Sequence, residues 1–350
     1  RYSPCSIVGA NNIKRTKMKF IDIPANQRAD LLSNLEGRIG LKPAIIEKDW
    51  WVTAVLRALF QLPYAKHLSF KGGTSLSKCW HVIERMSEDI DIGITREFLG
   101  FEGHLSKTQI SDKLRRAACS FVREQMQYDL KEQLVKDGIS PKHFNVRVDI
   151  TPVSTTDPEV IWIEYESAVE TVEYIPNIVK IEISGRSMSE PVANVEIDSL
   201  IDAAAPEAPF YEPSFNVRAV LAKRTFLEKL FLLHEEFSKS SEQIRVDRMS
   251  RHLYDVHKML STPIAKDALL DNELYNTVIE HRRTFIGLRG FDYSTLAKET
   301  LNIIPQDSVY QAWRKDYESM QENMIYENSA PFDVLIEDLR KFNEQIKLLG

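Results

Sequence analysis

Two short stretches constrain this chain more than anything else in it: Lys71-Gly72-Gly73-Thr74-Ser75 and, just downstream, Ser87-Glu88-Asp89-Ile90-Asp91-Ile92-Gly93. The glycine pair follows a strand-like run, Leu68-Ser69-Phe70, and precedes a segment with helical spacing. Glycines at such a junction let backbone N–H groups approach an anion, and a helix N-terminus adds about half a positive charge. In the second stretch, alternate residues of a strand share a face. Asp89 and Asp91 are therefore expected to project together, while Ile90 and Ile92 enter a core. Adjacent carboxylates repel, and their natural partner is a hard divalent cation, Mg²⁺ or Mn²⁺, carrying a nucleoside triphosphate. Taken singly, the glycine pair reads equally as a tight turn and the acidic pair as a solvated strand edge. Their conjunction within about 25 residues favours a phosphate and metal site. It is neither a P-loop nor a dinucleotide fingerprint, because the glycine spacings of both are missing.

With 350 residues, 43% of them hydrophobic, the chain is long enough for a buried core and two domains. A net charge of −6 gives no global basic field, so any nucleic-acid contact must use a local patch. Cys5, Cys79 and Cys119 are scattered without metal-ligand spacing, which points to a reducing, cytoplasmic setting and no structural zinc. No apolar run reaches the roughly 20 residues needed to span a bilayer, so no membrane partner is expected. Residues 1–17 are polar and basic, and are read as an extension outside the fold, with the natural start at Met18.

The periodicity predicts helices over 25–61, one of them from Ala44 to Phe60 containing Trp50-Trp51. A helix capped by Thr74 or Ser75 is expected to run to about Arg85, followed by a strand over Ile90–Ile94 and a long amphipathic helix from Leu105 to Lys136. The period then drops to two, predicting strands at Phe144–Val153, Val160–Tyr165 and Ile178–Ile183. Pro206–Pro213 reads as a linker, and the remainder as helix: Val217–Phe237, Asp247–Leu260, Leu270–Arg283, Ser308–Glu327 and Phe332–Leu349. The expected class is α+β: a mixed sheet flanked by helices over 18–210, then a helical domain over 211–350 that completes a cleft.

The motifs resemble the nucleotidyltransferase superfamily that includes DNA polymerase β, and more closely the AbiEii/AbiGii-type nucleotidyltransferase toxins of bacterial toxin–antitoxin and phage-defence systems. The resemblance rests on Lys71-Gly72-Gly73-Thr74-Ser75-Leu76 with Ser87-Glu88-Asp89-Ile90-Asp91, on Thr225-Phe226-Leu227-Glu228-Lys229-Leu230, and on Ser250-Arg251-His252-Leu253-Tyr254-Asp255. Fifteen residues separate Gly73 from Asp89, slightly more than is usual in the superfamily. The resemblance implies a two-metal nucleotidyl transfer, with Asp89 and Asp91 as metal ligands and a third carboxylate on a later strand. Glu182 is preferred for that place, with Asp149 as the alternative. Lys71, Gly72, Gly73, Thr74, Ser75 and Lys229 would meet the triphosphate, and Asp255 would orient Lys229. A plain helix–helix ion pair is the competing reading of Lys229 and Asp255.

Other residues remain open at this level. Lys78 reads as a phosphate ligand or a solvated lysine, and His234 and His257 as packed or capping histidines. Trp50-Trp51 reads as core. His281-Arg282-Arg283-Thr284-Phe285 with Arg289 reads as a solvated loop, with RNA docking as the alternative. The resemblance implies transfer of an NMP from an NTP to an acceptor such as a tRNA 3′ end, and a cognate antitoxin encoded nearby. A non-catalytic nucleotide-binding module, and transfer to a protein or small molecule, are the alternatives.

Overall fold

In the computed structural model, residues 18–87, 89–149, 158–170 and 176–349 are described. The expected extension over 1–17, Glu88 and the end of the strand expected to reach Val153 lie outside them. Two helices open the fold, α1 (Ala25–Ile39) and α2 (Pro43–Leu59). Gly40 closes α1 in the left-handed conformation, which glycine adopts without a Cβ penalty. Pro43 starts α2, where its missing N–H costs nothing. Trp50 and Trp51 point into the core, as their spacing suggests; the Trp51 ring stacks on Tyr165 with centroids 4.9 Å apart.

Strand β1 (Leu68–Lys71) leads directly into α3 (Gly72–Lys78). This helix begins two residues before the expected Thr74 cap and stops seven residues before Arg85. His81 takes a left-handed backbone, φ 50°, and the Val82 N–H returns to the Leu76 carbonyl, so the chain leaves the helix there. It continues irregularly to β2 (Ile90–Ile94). The long amphipathic helix is present over 109–136, with π turns at Gln109–Leu114 and Val122–Met126 alternating with α4 (Arg115–Phe121) and α5 (Gln127–Lys136).

Strands β3 (Phe144–Val148), β4 (Glu159–Tyr165) and β5 (Ile178–Ser184) fall where alternation places them. Two further strands were not expected: β6 (Val192–Ile197) and, after the short α6 (Leu200–Ala204), β7 (Phe215–Val220). The helix expected from Val217 therefore begins only at Ala222. Residues 206–213 are a connection inside the sheet region rather than a linker between domains. The seven strands form one mixed sheet in the order β3-β4-β5-β2-β1-β7-β6. Strand β2 runs antiparallel to β1 and parallel to β5; β1 runs parallel to β7.

Burial alternates along β5 and over Ile90–Ile92 of β2. Ile90, Ile92, Val179, Ile181 and Ile183 enter a core shared with α2, α4 and α5, while Asp91, Lys180, Glu182 and Ser184 line the opposite, half-exposed face. The C-terminal part is helical, as expected: α7 (Ala222–Phe237), α8 (Ser250–Leu260), α9 (Pro263–Leu270), α10 (Asn272–His281), α11 (Asp307–Asn323) and α12 (Phe332–Lys347). The helix expected over Leu270–Arg283 is α10, which begins at Asn272 after Asp271, whose carboxylate caps it by accepting from the Leu274 N–H at 3.0 Å; α9 before it was not expected. These helices enclose a second apolar core around Phe226, Leu230, Trp313 and Leu339. Leu76, Ile83 and Met86 cross from the sheet side into it, and the Arg85–Ile325 bridge and the bond from the Met86 N–H to the Met324 carbonyl at 2.7 Å tie the two parts together.

Candidate active site

The polar face of the sheet carries three charged residues at one level. Lys71 on β1 is registered with Asp91 on β2, and Asp91 with Glu182 on β5. Period two puts all three on one face. The structure thus brings Glu182 beside Asp91. Asp149 stands apart beyond β3, at the sheet edge, exposed and bonded to Arg147 and the Trp162 indole. Asp89 lies one residue before β2 rather than within it, half-buried. Burial, then the charges of Glu182 and Asp89, push the Asp91 carboxyl up to about 6 against the pull of Lys71, and a hydrogen bond joins it to Glu182. Lys180 pairs with Glu182 on the same strand.

Among the described residues, no three His, Cys, Asp or Glu side chains already converge on one metal-sized point. The donor set nonetheless suits a hard divalent cation. It consists of carboxylate oxygens, and Asp91 and Glu182 stand opposite each other on neighbouring strands as two like charges that a cation would relieve.

The two glycines of the turn are required for different reasons. Gly72 has φ +78°, and a Cβ there would lie 1.9 Å from Asp91 Oδ2, so only glycine lets the backbone pass this close to the carboxylate. At Gly73 a Cβ would meet Ser87 Oγ at 2.6 Å and the Arg85 guanidinium at 2.9 Å. Thr74 and Ser75 are buried and lie away from the open cleft. The Thr74 hydroxyl bonds to the Asp89 carbonyl and sits 3.0 Å from Ser87 Oγ, fastening α3 to the approach of β2. Because α3 begins at Gly72, this helix face points inward, so the side-chain phosphate contacts expected of Thr74 and Ser75 are not what the fold provides. Lys78 turns to α2 and pairs with Asp49 at 2.6 Å.

Across the cleft, the Lys229 ammonium on α7 lies 2.8 Å from Asp255 on α8. Asp255 is fully buried and also receives both arms of Arg85, each at 2.7 Å. Burial alone would raise the Asp255 carboxyl; Arg85 and Lys229 outweigh it and hold it well below the usual carboxylate range. Burial lowers the Lys229 pKa, with Asp255 opposing and Arg85 adding to the fall. Asp255 thus positions Lys229 and anchors the segment leading to Asp89. Arg85 escaped the sequence reading because it sits in an irregular segment 170 residues from its partner.

These groups share a cleft of about 320 Å³, lined by Lys71, Gly72, Asp91, Glu182 and Lys229. The residues expected to form a solvated loop contribute to it: His281 and Arg282 line the same cleft. The Arg282 guanidinium is fixed by Glu235, with Nε 2.7 Å from Oε1. His281 Nε2 donates to the Arg186 carbonyl at 2.9 Å, and burial lowers the ring to about 4. Arg283 and Arg289 stay exposed. Arg186, Glu228 and His252 also line the cleft and were not foreseen. Burial would raise Glu228, but Arg224 and Lys71 outweigh it and bring it to about 2. Burial, then Lys229 and Arg251, lower His252 well below its usual value. His234 and His257 pack elsewhere, on Thr295 and Asp338, as expected.

Among solved structures, MenT4, a nucleotidyltransferase toxin from Mycobacterium tuberculosis H37Rv, is 16% identical with a TM-score of 0.42, over 93% of this chain and 99% of that one. JHP933 from Helicobacter pylori is 14% identical with a TM-score of 0.32, over 85% and 93%. No curated protein sequence matches significantly. The profile of the family described as "Nucleotidyl transferase AbiEii toxin, Type IV TA system" matches residues 54–340, which takes in the glycine turn, the acidic strand and the Lys229–Asp255 wall. The chain belongs to the AbiEii nucleotidyltransferase toxin family of type IV toxin–antitoxin systems.

Proposed function

We propose that this protein transfers an NMP from an NTP to a hydroxyl acceptor, with a tRNA 3′ end as the leading candidate, and so arrests growth until its antitoxin is made. The observation that carries this reading is the pairing of Asp91 with Glu182 on adjacent strands, with Lys71 beside them on the same face and Lys229 across the cleft. The catalytic set is Asp89, Asp91, Glu182, Lys229 and Asp255. Asp89, Asp91 and Glu182 would hold Mg²⁺ or Mn²⁺. When bound, the metal would neutralise the triphosphate and lower the pKa of the attacking hydroxyl.

The chain's own groups do the rest. Lys229 and Lys71 bind the anionic triphosphate as point charges. Gly72 brings the backbone close to it. The acceptor oxygen bonds to the α-phosphorus, the bond to the bridging oxygen breaks, and pyrophosphate leaves. The acceptor proton passes to a carboxylate of the cluster. Asp255 keeps Lys229 aimed at the cleft without touching substrate. In this reading the nucleotidyltransferase domain runs through β7, which belongs to the sheet, and the helical domain follows it. Among the described residues no helix is long and apolar enough to cross a membrane, and the reading places the protein in the cytoplasm. Incubation with each of four α-labelled NTPs, Mg²⁺ and total RNA tests it: the expected result is a labelled RNA band, and label confined to protein would redirect the acceptor assignment.

A further inference from the structure

The catalytic cleft does not end at the carboxylates. A second cavity of about 210 Å³ adjoins it and shares Ser187 and His281 with it. It lies where β2 and β5 both end, lined by Thr95 and Arg96 after β2 and by Gly185 and Ser187 after β5. These strands are parallel with Asp91 opposite Glu182 and Gly93 opposite Ser184. Thr95 is four residues beyond Asp91, about 13 Å along an extended chain.

The floor between the cavities has no side chain at Gly93. Gly93 shares the face of Asp91, and a Cβ there would lie 2.7 Å from Ser69 Oγ and 3.1 Å from the Ser187 Cβ. The far wall is an aromatic and cationic stack. His281 and Phe285 lie nearly parallel, with ring centroids 4.9 Å apart and planes at 17°, and the Arg96 guanidinium sits 5.5 Å from the Phe285 ring centre. The stack is fixed from below. Arg186 accepts the His281 N–H on its carbonyl and donates its guanidinium to the Phe285 carbonyl at 2.8 Å. Flat π faces with an arginine beside them are what nucleobases stack on, whatever their sequence. Hydroxyls on Ser187 and Ser189 in the lining supply donors and acceptors for a base edge or ribose, while the Thr95 hydroxyl pairs with His67 Nδ1.

We infer that this second cavity is a nucleoside subsite, in which the Arg96–Phe285–His281 stack receives the base of a nucleotide whose phosphate or terminal hydroxyl lies at Asp91 and Glu182. The inference rests on the transfer reading above. The base belongs either to the incoming NTP or to the 3′-terminal residue of the RNA acceptor.

The test is equilibrium binding in magnesium buffer of each of the four NTPs, and separately of a single-stranded RNA oligonucleotide with a free 3′ hydroxyl. Wild type is compared with Phe285→Ala and Phe285→Tyr. Phe285→Ala is expected to weaken one of the two ligands by about tenfold or more, and Phe285→Tyr to restore it. Loss on the NTP side assigns the cavity to the incoming base, and loss on the RNA side to the acceptor. Unchanged binding of both ligands by folded Phe285→Ala overturns the subsite, as does a loss that Phe285→Tyr does not restore. Normal labelled transfer with unchanged Phe285→Ala binding rejects the subsite alone. A Phe285-dependent loss of binding in a protein that transfers no label rejects the transfer reading alone.

Discussion

Asp91 on β2 and Glu182 on β5 stand directly opposite each other on neighbouring parallel strands, and their carboxyls share a hydrogen bond. Two acids held this way gain nothing for folding: burial and mutual repulsion drive the Asp91 pKa up. Such a cost is retained where the charges have work to do. The opposite arrangement holds between α7 and α8, where buried Asp255 pairs with two cations, Arg85 and Lys229.

Asp255→Asn tests that cluster. The substitution leaves two buried cations without their counter-charge, which costs about 3–5 kcal/mol. A carboxylate with a depressed folded pKa contributes stability that is present above its unfolded value of about 3.9 and lost as the pH falls toward the folded value. Wild type should therefore lose stability steeply below about pH 4, and Asp255→Asn, weaker throughout, should show a shallower acid limb. Urea midpoints at pH 6 and pH 3 measure both. Equal midpoints at pH 6 would show that the cluster is not holding the two parts together.

Gly72→Ala acts on a different link. Its Cβ would lie 1.9 Å from Asp91 Oδ2, at a φ of +78°. The left-handed backbone alone costs roughly 1–2 kcal/mol, and displacing the carboxylate should reduce transfer roughly a hundredfold. Single-turnover rates beside thermal melts separate the two effects. A folded variant with wild-type rates would mean that Asp91 tolerates displacement.

Much of this arrangement was legible in the sequence. The alternation Ile90-Asp91-Ile92 and Ile181-Glu182-Ile183 placed both acids on the polar face, because strand period alone decides which side a residue faces. The apolar stripes of the C-terminal helices were equally plain. Strand β7 was not, because Val217-Arg218-Ala219-Val220 runs without a turn signal into the helix at Ala222 and only its pairing with β1 and β6 makes it a strand. Arg85 was hidden for a similar reason: nothing local marks a residue whose partner is on α8. Thr74 was misjudged by a helical start two residues early, enough to rotate it from the cleft into the protein.

Lys229→Met removes the ammonium from the cleft while leaving Asp255 bonded to both arms of Arg85. The fold should survive, and NTP binding should weaken about tenfold or more, as expected for losing a charged hydrogen bond. Calorimetric titration of NTP measures it. Undiminished affinity would confine Lys229 to a structural role.

Chelation addresses the carboxylates as a group. EDTA should stop transfer, and Mg²⁺ or Mn²⁺ should restore it. Added divalent cation should also raise the melting temperature, because it binds only the folded cluster. Transfer that persists in EDTA would exclude a metal role for Asp89, Asp91 and Glu182.

If the Asp91–Glu182 pair serves nucleotidyl transfer at the expense of stability, neutralising one member should cost transfer and spare the fold. The direct measurement is labelled-NTP transfer by purified wild type and Asp91→Asn, with melting temperatures recorded on the same samples. Wild type is expected to label an acceptor and Asp91→Asn to do so at least about a hundredfold more slowly, while melting at or above the wild-type temperature because one member of a repelling pair is now neutral. Transfer at the wild-type rate by folded Asp91→Asn would contradict it.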